Sequence, residues 1–130
     1  MANLDTAKEW LKRAKGNLLI GRDNSYLDLR DIPVEELCFN LQQSVEKSLK
    51  ALLIYNDIEF PFVHEIASLL TIIKKNHIEV PENLIFAAQL TRYAVTTRYP
   101  GDYEKITTED YEDVVKIAEN VYNWVEKQIK

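Results

Sequence analysis

The apolar residues of this chain recur at helical spacing almost throughout its 130 residues, and no convincing stretch alternates with the two-residue period of a strand. Only three glycines and four prolines interrupt the pattern, and the prolines stand where helices would start or loops would turn. Because the connections are short, we expect neighbouring helices to be antiparallel. The sequence therefore predicts an all-α fold, an up-and-down four-helix bundle with one additional short helix, as a single domain over residues 1–130.

The helical spacing divides into five segments, which cover residues of about 5–23, 33–56, 64–76, 81–97 and 107 to the chain end. Thr107 or Thr108 is expected to cap the fifth helix, with acidic residues in its first turn. His77 is placed on the core side of the third helix, in a structural role. The lone Cys38 cannot form an intramolecular disulfide, and we expect it to be a buried core residue in a reducing compartment.

The fourth predicted helix has two apolar faces, of which the second contains Phe86, Leu90 and Tyr93. A helix of this kind cannot bury both faces against one neighbour. Exposed apolar patches commonly mark association between chains. The pattern therefore predicts a homodimer whose interface includes these three residues.

Composition and residue counts exclude several classes of protein and site. The formal net charge of −5 argues against nucleic acid as a partner of the whole surface, although it leaves room for a local basic patch. No signal peptide and no apolar run long enough for a membrane span is present, so we expect a cytoplasmic protein. With one Cys, two His and no Gly-rich phosphate loop, the sequence indicates no metal, no cofactor and no catalytic residue.

The second predicted helix carries an apolar stripe and, beside it, a polar one. The apolar stripe consists of Leu41, Val45, Leu49 and Leu52. Gln43, Lys47 and Lys50 form the polar stripe, while Gln42 and Glu46 lie on the boundary between the two stripes. Such a set is either an ordinary solvated helix face, in which Glu46 and Lys50 form an i,i+4 ion pair, or an arrangement that holds a polar network or an anion. Both interpretations stay open from the residues alone.

Four features in order resemble the HEPN family, small all-helical domains found in prokaryotes and in some large eukaryotic proteins. They are Gln43 with Glu46, Lys47 and Lys50; the apolar helix end Leu52-Leu53-Ile54; Pro61 followed by His64-Glu65-Ile66; and Arg98-Tyr99-Pro100. The resemblance covers nearly the whole chain. It implies a four-helix bundle that is commonly a homodimer, that binds nucleotides in some members, and that is frequently paired with a small nucleotidyltransferase.

The resemblance also bears on catalysis, because some HEPN proteins are metal-independent ribonucleases or toxins of toxin–antitoxin pairs. Their motif is an Arg followed, after four to six residues, by a His. Neither Arg92 nor Arg98 has a His at that spacing, and no His follows His77. The general acid–base group of such a site is therefore missing. A non-catalytic bundle is the leading interpretation, with an RNA-acting enzyme of altered site or a purely structural interaction protein as the alternatives.

The residues that this reasoning assigns to a nucleotide or anion site are Gln43, Glu46, Lys47, Lys50, His64, Arg98 and Tyr99. Lys47 or Lys50 would face a phosphate, while Gln43 and Glu46 would orient the sugar or the base. Arg98 would bind a phosphate through two parallel hydrogen bonds, and the ring of Tyr99 or of Tyr103 would stack on the base. His64 has an ordinary alternative role, in which it orders the loop before the third helix.

Overall fold

Every regular element in the described part of the chain is a helix. The computed structural model describes residues 2–23, 32–62, 65–93 and 106–129. The elements in chain order are α1 (Ala2–Gly21), α2 (Val34–Tyr55), α3 (Ile66–Lys75), a 3-10 helix (Glu82–Tyr93) and α4 (Thr108–Gln128). The predicted all-α class and the bundle with one short additional helix are confirmed. None of the helices within these ranges is long and apolar enough to cross a membrane.

Helix α2 is the central element, because it packs against each of the other four. The predicted apolar stripe of Leu41, Val45, Leu49 and Leu52 is fully buried, as expected. Neighbours cover α2 on several sides, so thirteen of its 22 residues are buried. An apolar stripe cannot supply that many positions, and polar side chains of α2 are therefore enclosed together with the apolar ones.

Helices α1 and α2 run antiparallel and are joined by hydrogen bonds along their length. Near the start of α1, Asn3 Nδ2 donates to Asp57 Oδ1 just beyond the end of α2, at 3.2 Å. Farther along, the buried Ser44 hydroxyl donates to the carbonyl oxygen of Ala14 at 2.8 Å. The antiparallel arrangement predicted for neighbouring helices is thus found for this pair.

Helix α4 runs opposite to α1 and hence in the same direction as α2. In its first turn, the hydroxyl of Tyr111 donates to the carbonyl oxygen of Gly21 at 2.6 Å, at the end of α1. Three turns later, the ring of Tyr122 lies 5.3 Å from the ammonium of Lys15, nearer the middle of α1. The predicted cap is also confirmed, since Thr107 forms a reciprocal capping box at the start of α4.

The fourth predicted helix is a 3-10 helix, which changes which of its residues share a face. Leu84, Ala87 and Leu90 are buried at three-residue spacing, as expected for three residues per turn. Leu90 is only 1% exposed, so its predicted place on an outward face with Phe86 is wrong. Residues four apart diverge by about 120° in this geometry. Phe86 is 60% exposed, as predicted, while the side chain of Tyr93 lies outside the described part of the structure.

Helices α2 and α3 end in the same way. In both, the residue after the C-cap has a positive φ: 58° at Asp57 and 65° at His77. The amide of Ile58 donates to Leu53 and that of Ile78 donates to Ile73, which are the long hydrogen bonds of the Schellman motif. The sequence repeats the pattern Asn-x-Ile-Glu-apolar-Pro at both ends. His77 is therefore an exposed helix-terminating residue, and its predicted place on the core side of the third helix is wrong.

Substitution of His77 by Gly should stabilise the protein by about 1 kcal/mol, because glycine adopts positive φ without the steric cost that a Cβ carries. The change removes an exposed side chain, while the backbone hydrogen bonds of the motif stay. Denaturant unfolding of His77→Gly and of a His77→Ala control would measure the difference. A glycine variant no more stable than the alanine variant would contradict this account of the helix end.

Candidate functional site

The centre of the predicted site is a buried hydrogen-bonded network on α2. Gln43 Nε2 donates to Gln42 Oε1 at 2.8 Å, and Gln42 Nε2 donates to Glu46 Oε1 at 3.2 Å. The second oxygen of Glu46 accepts from Lys50 Nζ at 3.1 Å. Glu46 and Lys50 are only 4% and 5% exposed. The predicted ion pair is thus present, but the interpretation as a solvated helix face is wrong for Glu46 and Lys50, while Gln43 and Lys47 are half-buried.

Aromatic rings complete the surroundings of the buried ammonium group of Lys50. Its Nζ lies 6.0 Å from the ring centroid of Trp10 on α1 and 5.7 Å from that of Phe62 in the loop after α2. Both distances are in the range of cation–π interactions. Because the Glu46 carboxylate neutralises this ammonium at close range, Lys50 contributes little net charge to an incoming anion.

A second polar cluster lies between α1 and α2, on the half-buried side of α2. Lys47 Nζ donates to Asn17 Oδ1 at 2.8 Å, and Asn17 Nδ2 donates to Asn40 Oδ1 at 3.0 Å. Asn40 Nδ2 in turn donates to the carbonyl oxygen of Glu36 at 3.0 Å. The ammonium of Lys47 is therefore held by an uncharged amide oxygen, unlike that of Lys50.

The electrostatics of this cluster favour an added negative charge. Burial lowers the pKa of Lys47, the nearby guanidinium of Arg13 lowers it further, and Lys50 adds a smaller effect of the same sign. The carboxylate of Glu46 opposes these effects. Arg13 itself forms an exposed ion pair with Glu9, at 3.5 Å, which is a weak interaction. We refer to Arg13, Asn17, Asn40, Gln43 and Lys47 as the α1–α2 groove.

Comparison with known proteins identifies the family. The family model described as HEPN domain matches residues 7–128. The chain belongs to the HEPN family. Two crystal structures resemble this HEPN chain closely. One is ST0689, an archaeal HEPN homologue, with 29% identity, a TM-score of 0.73 and coverage of 95% of this chain and 98% of that one. The other is TT1696 from Thermus thermophilus, with 30% identity, a TM-score of 0.74 and coverage of 93% and 96%. No curated protein matches the sequence.

The structure of this HEPN chain brings together some of the predicted site residues and separates others. Gln43 and Lys47 line the α1–α2 groove, whereas Glu46 and Lys50 lie in the buried network beside it. His64, Arg98, Tyr99 and Tyr103 lie outside the described residues.

Three groove residues were missed by the sequence reasoning: Arg13, Asn17 and Asn40. A signal for two of them exists, since Arg13 and Asn17 are one turn apart and flank the apolar face of α1 on the side of Trp10. Within the described ranges, no group of three or more His, Cys, Asp or Glu side chains is placed to hold a metal ion.

Proposed function

We propose that this HEPN chain is a non-catalytic binding protein that forms a homodimer and holds a nucleotide in the α1–α2 groove. The observation that carries the proposal is the environment of Lys47. Its ammonium is half-buried, donates to an amide oxygen instead of a carboxylate, and lies near a second cation, Arg13. A phosphate placed there would offset the repulsion between the two cations, so the groove has an electrostatic reason to bind one.

The remaining groove residues suit the other parts of a nucleotide. Lys47 supplies a compact positive charge, and Arg13 can bind phosphate oxygens through two parallel hydrogen bonds. The amides of Asn17, Asn40 and Gln43 both donate and accept hydrogen bonds, as sugar hydroxyls and base edges require. These amides already form hydrogen bonds within the chain, so a bound nucleotide would replace some of their present partners.

The buried pair has a supporting role in this proposal. The buried ion pair of Glu46 with Lys50 stabilises α2 beside the groove, and neither side chain contacts the phosphate. Arg98 and Tyr99 keep the roles proposed from the sequence, a second phosphate contact and a stacking face for the base. His64 likewise remains a candidate for the same site.

A thermal-shift panel of nucleotides tests the groove. A nucleotide at 100 times its dissociation constant should add about 2.7 kcal/mol to the free energy of unfolding of the wild type. Loss of a charge-assisted hydrogen bond costs about 1.5–3 kcal/mol, so Lys47→Gln and Arg13→Gln should each weaken binding about tenfold or more.

Lys12→Gln is the matched control, because Lys12 is an exposed cation on α1 outside the groove. The nucleotide affinity of the Lys12→Gln variant should equal that of the wild type apart from a small salt-dependent change. If a nucleotide raises the melting temperature of the wild type and of all three variants equally, it binds elsewhere. If no nucleotide raises the melting temperature of the wild type, the proposal is contradicted.

Dimerisation is proposed through the outward side of the 3-10 helix, where Ile85 and Phe86 are both exposed. Phe86→Asp would place a carboxylate in an apolar contact, and should convert the dimer to a monomer at micromolar concentration. Light scattering measures the change, with Leu19→Asp as a control at an exposed apolar position on α1. A wild-type monomer would refute the dimer, while a Phe86→Asp dimer would refute only this interface.

A small nucleotidyltransferase is the protein partner that we propose for this bundle, on the basis of family membership alone. The enzyme alternative is an RNA-cleaving site that works without the usual Arg and His pair. Since no His follows His77 in the sequence, we expect purified protein to leave RNA intact. Reproducible cleavage that disappears in Arg98→Ala would favour the enzyme.

A further inference from the structure

The loop after α2 presents an aromatic side chain to solvent. Phe62 is 91% exposed, the largest exposure among the exposed large hydrophobic side chains of the described residues. Aromatic residues, phenylalanine included, are enriched at protein interfaces relative to the rest of the protein surface. Phe62 is therefore a candidate for contact with another molecule.

The loop lies beside the first half of α1. At the start of the loop, Asp57 accepts a hydrogen bond from Asn3 at 3.2 Å. At its far end, the ring of Phe62 lies over the Lys50 ammonium, which also faces the ring of Trp10. These contacts place both ends of the segment 57–62 near residues 3–10 of α1, so the two segments contribute to one surface.

This surface is acidic as well as aromatic. Trp10 lines a cavity of about 390 Å³ together with Asp5, Thr6, Glu9 and Arg13. The loop adds Asp57 and the exposed Glu59. Four carboxylates thus accompany one guanidinium, and the buried Lys50 is neutralised by Glu46. We refer to Asp5, Glu9, Trp10, Asp57, Glu59 and Phe62 as the acidic–aromatic face.

We propose that the acidic–aromatic face docks a basic, arginine- or lysine-rich segment of a protein partner. Carboxylates attract such a segment, and the faces of tryptophan and phenylalanine rings bind guanidinium and ammonium groups. Both rings already contact one cation, Lys50, within the chain. This docking surface adjoins the α1–α2 groove, because Glu9 of the face forms an ion pair with Arg13 of the groove.

Charge selects a basic segment over the other candidate occupants. A second copy of this chain, docked symmetrically, would place the same carboxylates against each other, which is unfavourable. A phosphate-bearing ligand would meet the same repulsion. Neither objection applies to a positively charged peptide, and the attraction should decline as salt screens it.

An oligoarginine peptide is the probe, and the fluorescence of Trp10 in a Trp124→Phe background is the readout. The chain has two tryptophans, so this background leaves a single reporter within the face. We expect saturable binding that weakens as salt is added, and no binding of oligoglutamate. Phe62→Ser should weaken the affinity about tenfold or more. The double variant Asp5→Asn/Glu59→Gln should weaken it at least severalfold.

Matched controls separate this face from general attraction to an acidic protein. Leu19→Ser removes an exposed apolar side chain farther along α1, and Glu112→Gln/Asp113→Asn removes two exposed carboxylates of α4. Both should keep wild-type affinity. The double variant Asp5→Asn/Glu59→Gln leaves Phe62 in place, so its loss of affinity cannot come from a change in the loop caused by Phe62→Ser. Absence of binding, equal binding of oligoglutamate, or equal loss in the face and control variants would overturn the proposal.

Discussion

Replacement of Glu46 by Ala should lower the free energy of unfolding by about 3–5 kcal/mol, because it leaves a buried ammonium without its counter-ion. Lys50 is 5% exposed and its ion pair with Glu46 measures 3.1 Å. The loss also removes the acceptor of the Gln42 side-chain amide. Denaturant unfolding with a constant m-value would measure the change.

Two controls define this effect. Glu9 and Arg13 form an i,i+4 pair of the same kind on the exposed side of α1, so Glu9→Ala should cost no more than about 0.5 kcal/mol. The double variant Glu46→Leu/Lys50→Met should recover most of the stability, because apolar residues of similar size replace both buried charges. Equal losses in Glu46→Ala and Glu9→Ala would show that the network is not buried as described.

The two helical glycines of α1 should respond to alanine in opposite directions. At Gly21, an added Cβ would lie 2.6 Å from Leu41 Cγ and 3.0 Å from the carbonyl oxygen of Leu37. Leu41 is fully buried and cannot move freely, so Gly21→Ala should cost about 1–3 kcal/mol through overpacking. Because Tyr111 donates to the Gly21 carbonyl, the same shift would disturb the junction of α1 with α4.

Gly16→Ala is the internal control for that prediction. An added Cβ at Gly16 meets no atom within 4 Å, and alanine is favoured over glycine inside a helix by about 0.8–1 kcal/mol. Thermal or denaturant unfolding should therefore show that Gly16→Ala is more stable than the wild type and that Gly21→Ala is less stable. If both variants are stabilised, α1 and α2 are not packed as closely at Gly21 as described.

The elements that could be predicted from the sequence are those set by local pattern. The stripe of Leu41, Val45, Leu49 and Leu52 indicates a helix whichever neighbours cover it, and the capping box of Thr107 with Asp110 is a contact within four residues. Cys38 is likewise buried as expected, one turn before the first residue of the stripe, Leu41.

The features that could not be predicted depend on neighbours. Glu46 and Lys50 look like solvated residues in a sequence, and they are buried only because α2 is covered by every other helix. The burial of Leu90 follows from the helix type. With 3.6 residues per turn Leu90 would share a face with Phe86, but with three residues per turn it faces the core. His77 was misplaced because the Schellman pattern at its helix end was not recognised.

The candidate site shows the same division. Lys47 and Gln43 could be chosen because they share a stripe on one helix. Arg13 and Asn17 share a face of α1, but the sequence could not connect that face with Lys47, because only the antiparallel packing of α1 on α2 brings them together. Spacing along the sequence predicts which side chains are neighbours on one helix, but it does not predict which faces of two helices pack together.

A nucleotide titration followed by NMR of the side-chain amides tests the central claim most directly. The account predicts that the amide signals of Asn17, Asn40 and Gln43 shift with ligand concentration, since all three lie in the α1–α2 groove. The signals of Asn3 and the exposed Asn123, on other parts of the surface, should stay unchanged. Shifts confined to Asn3 or Asn123, or no shifts at all, would contradict nucleotide binding in the groove.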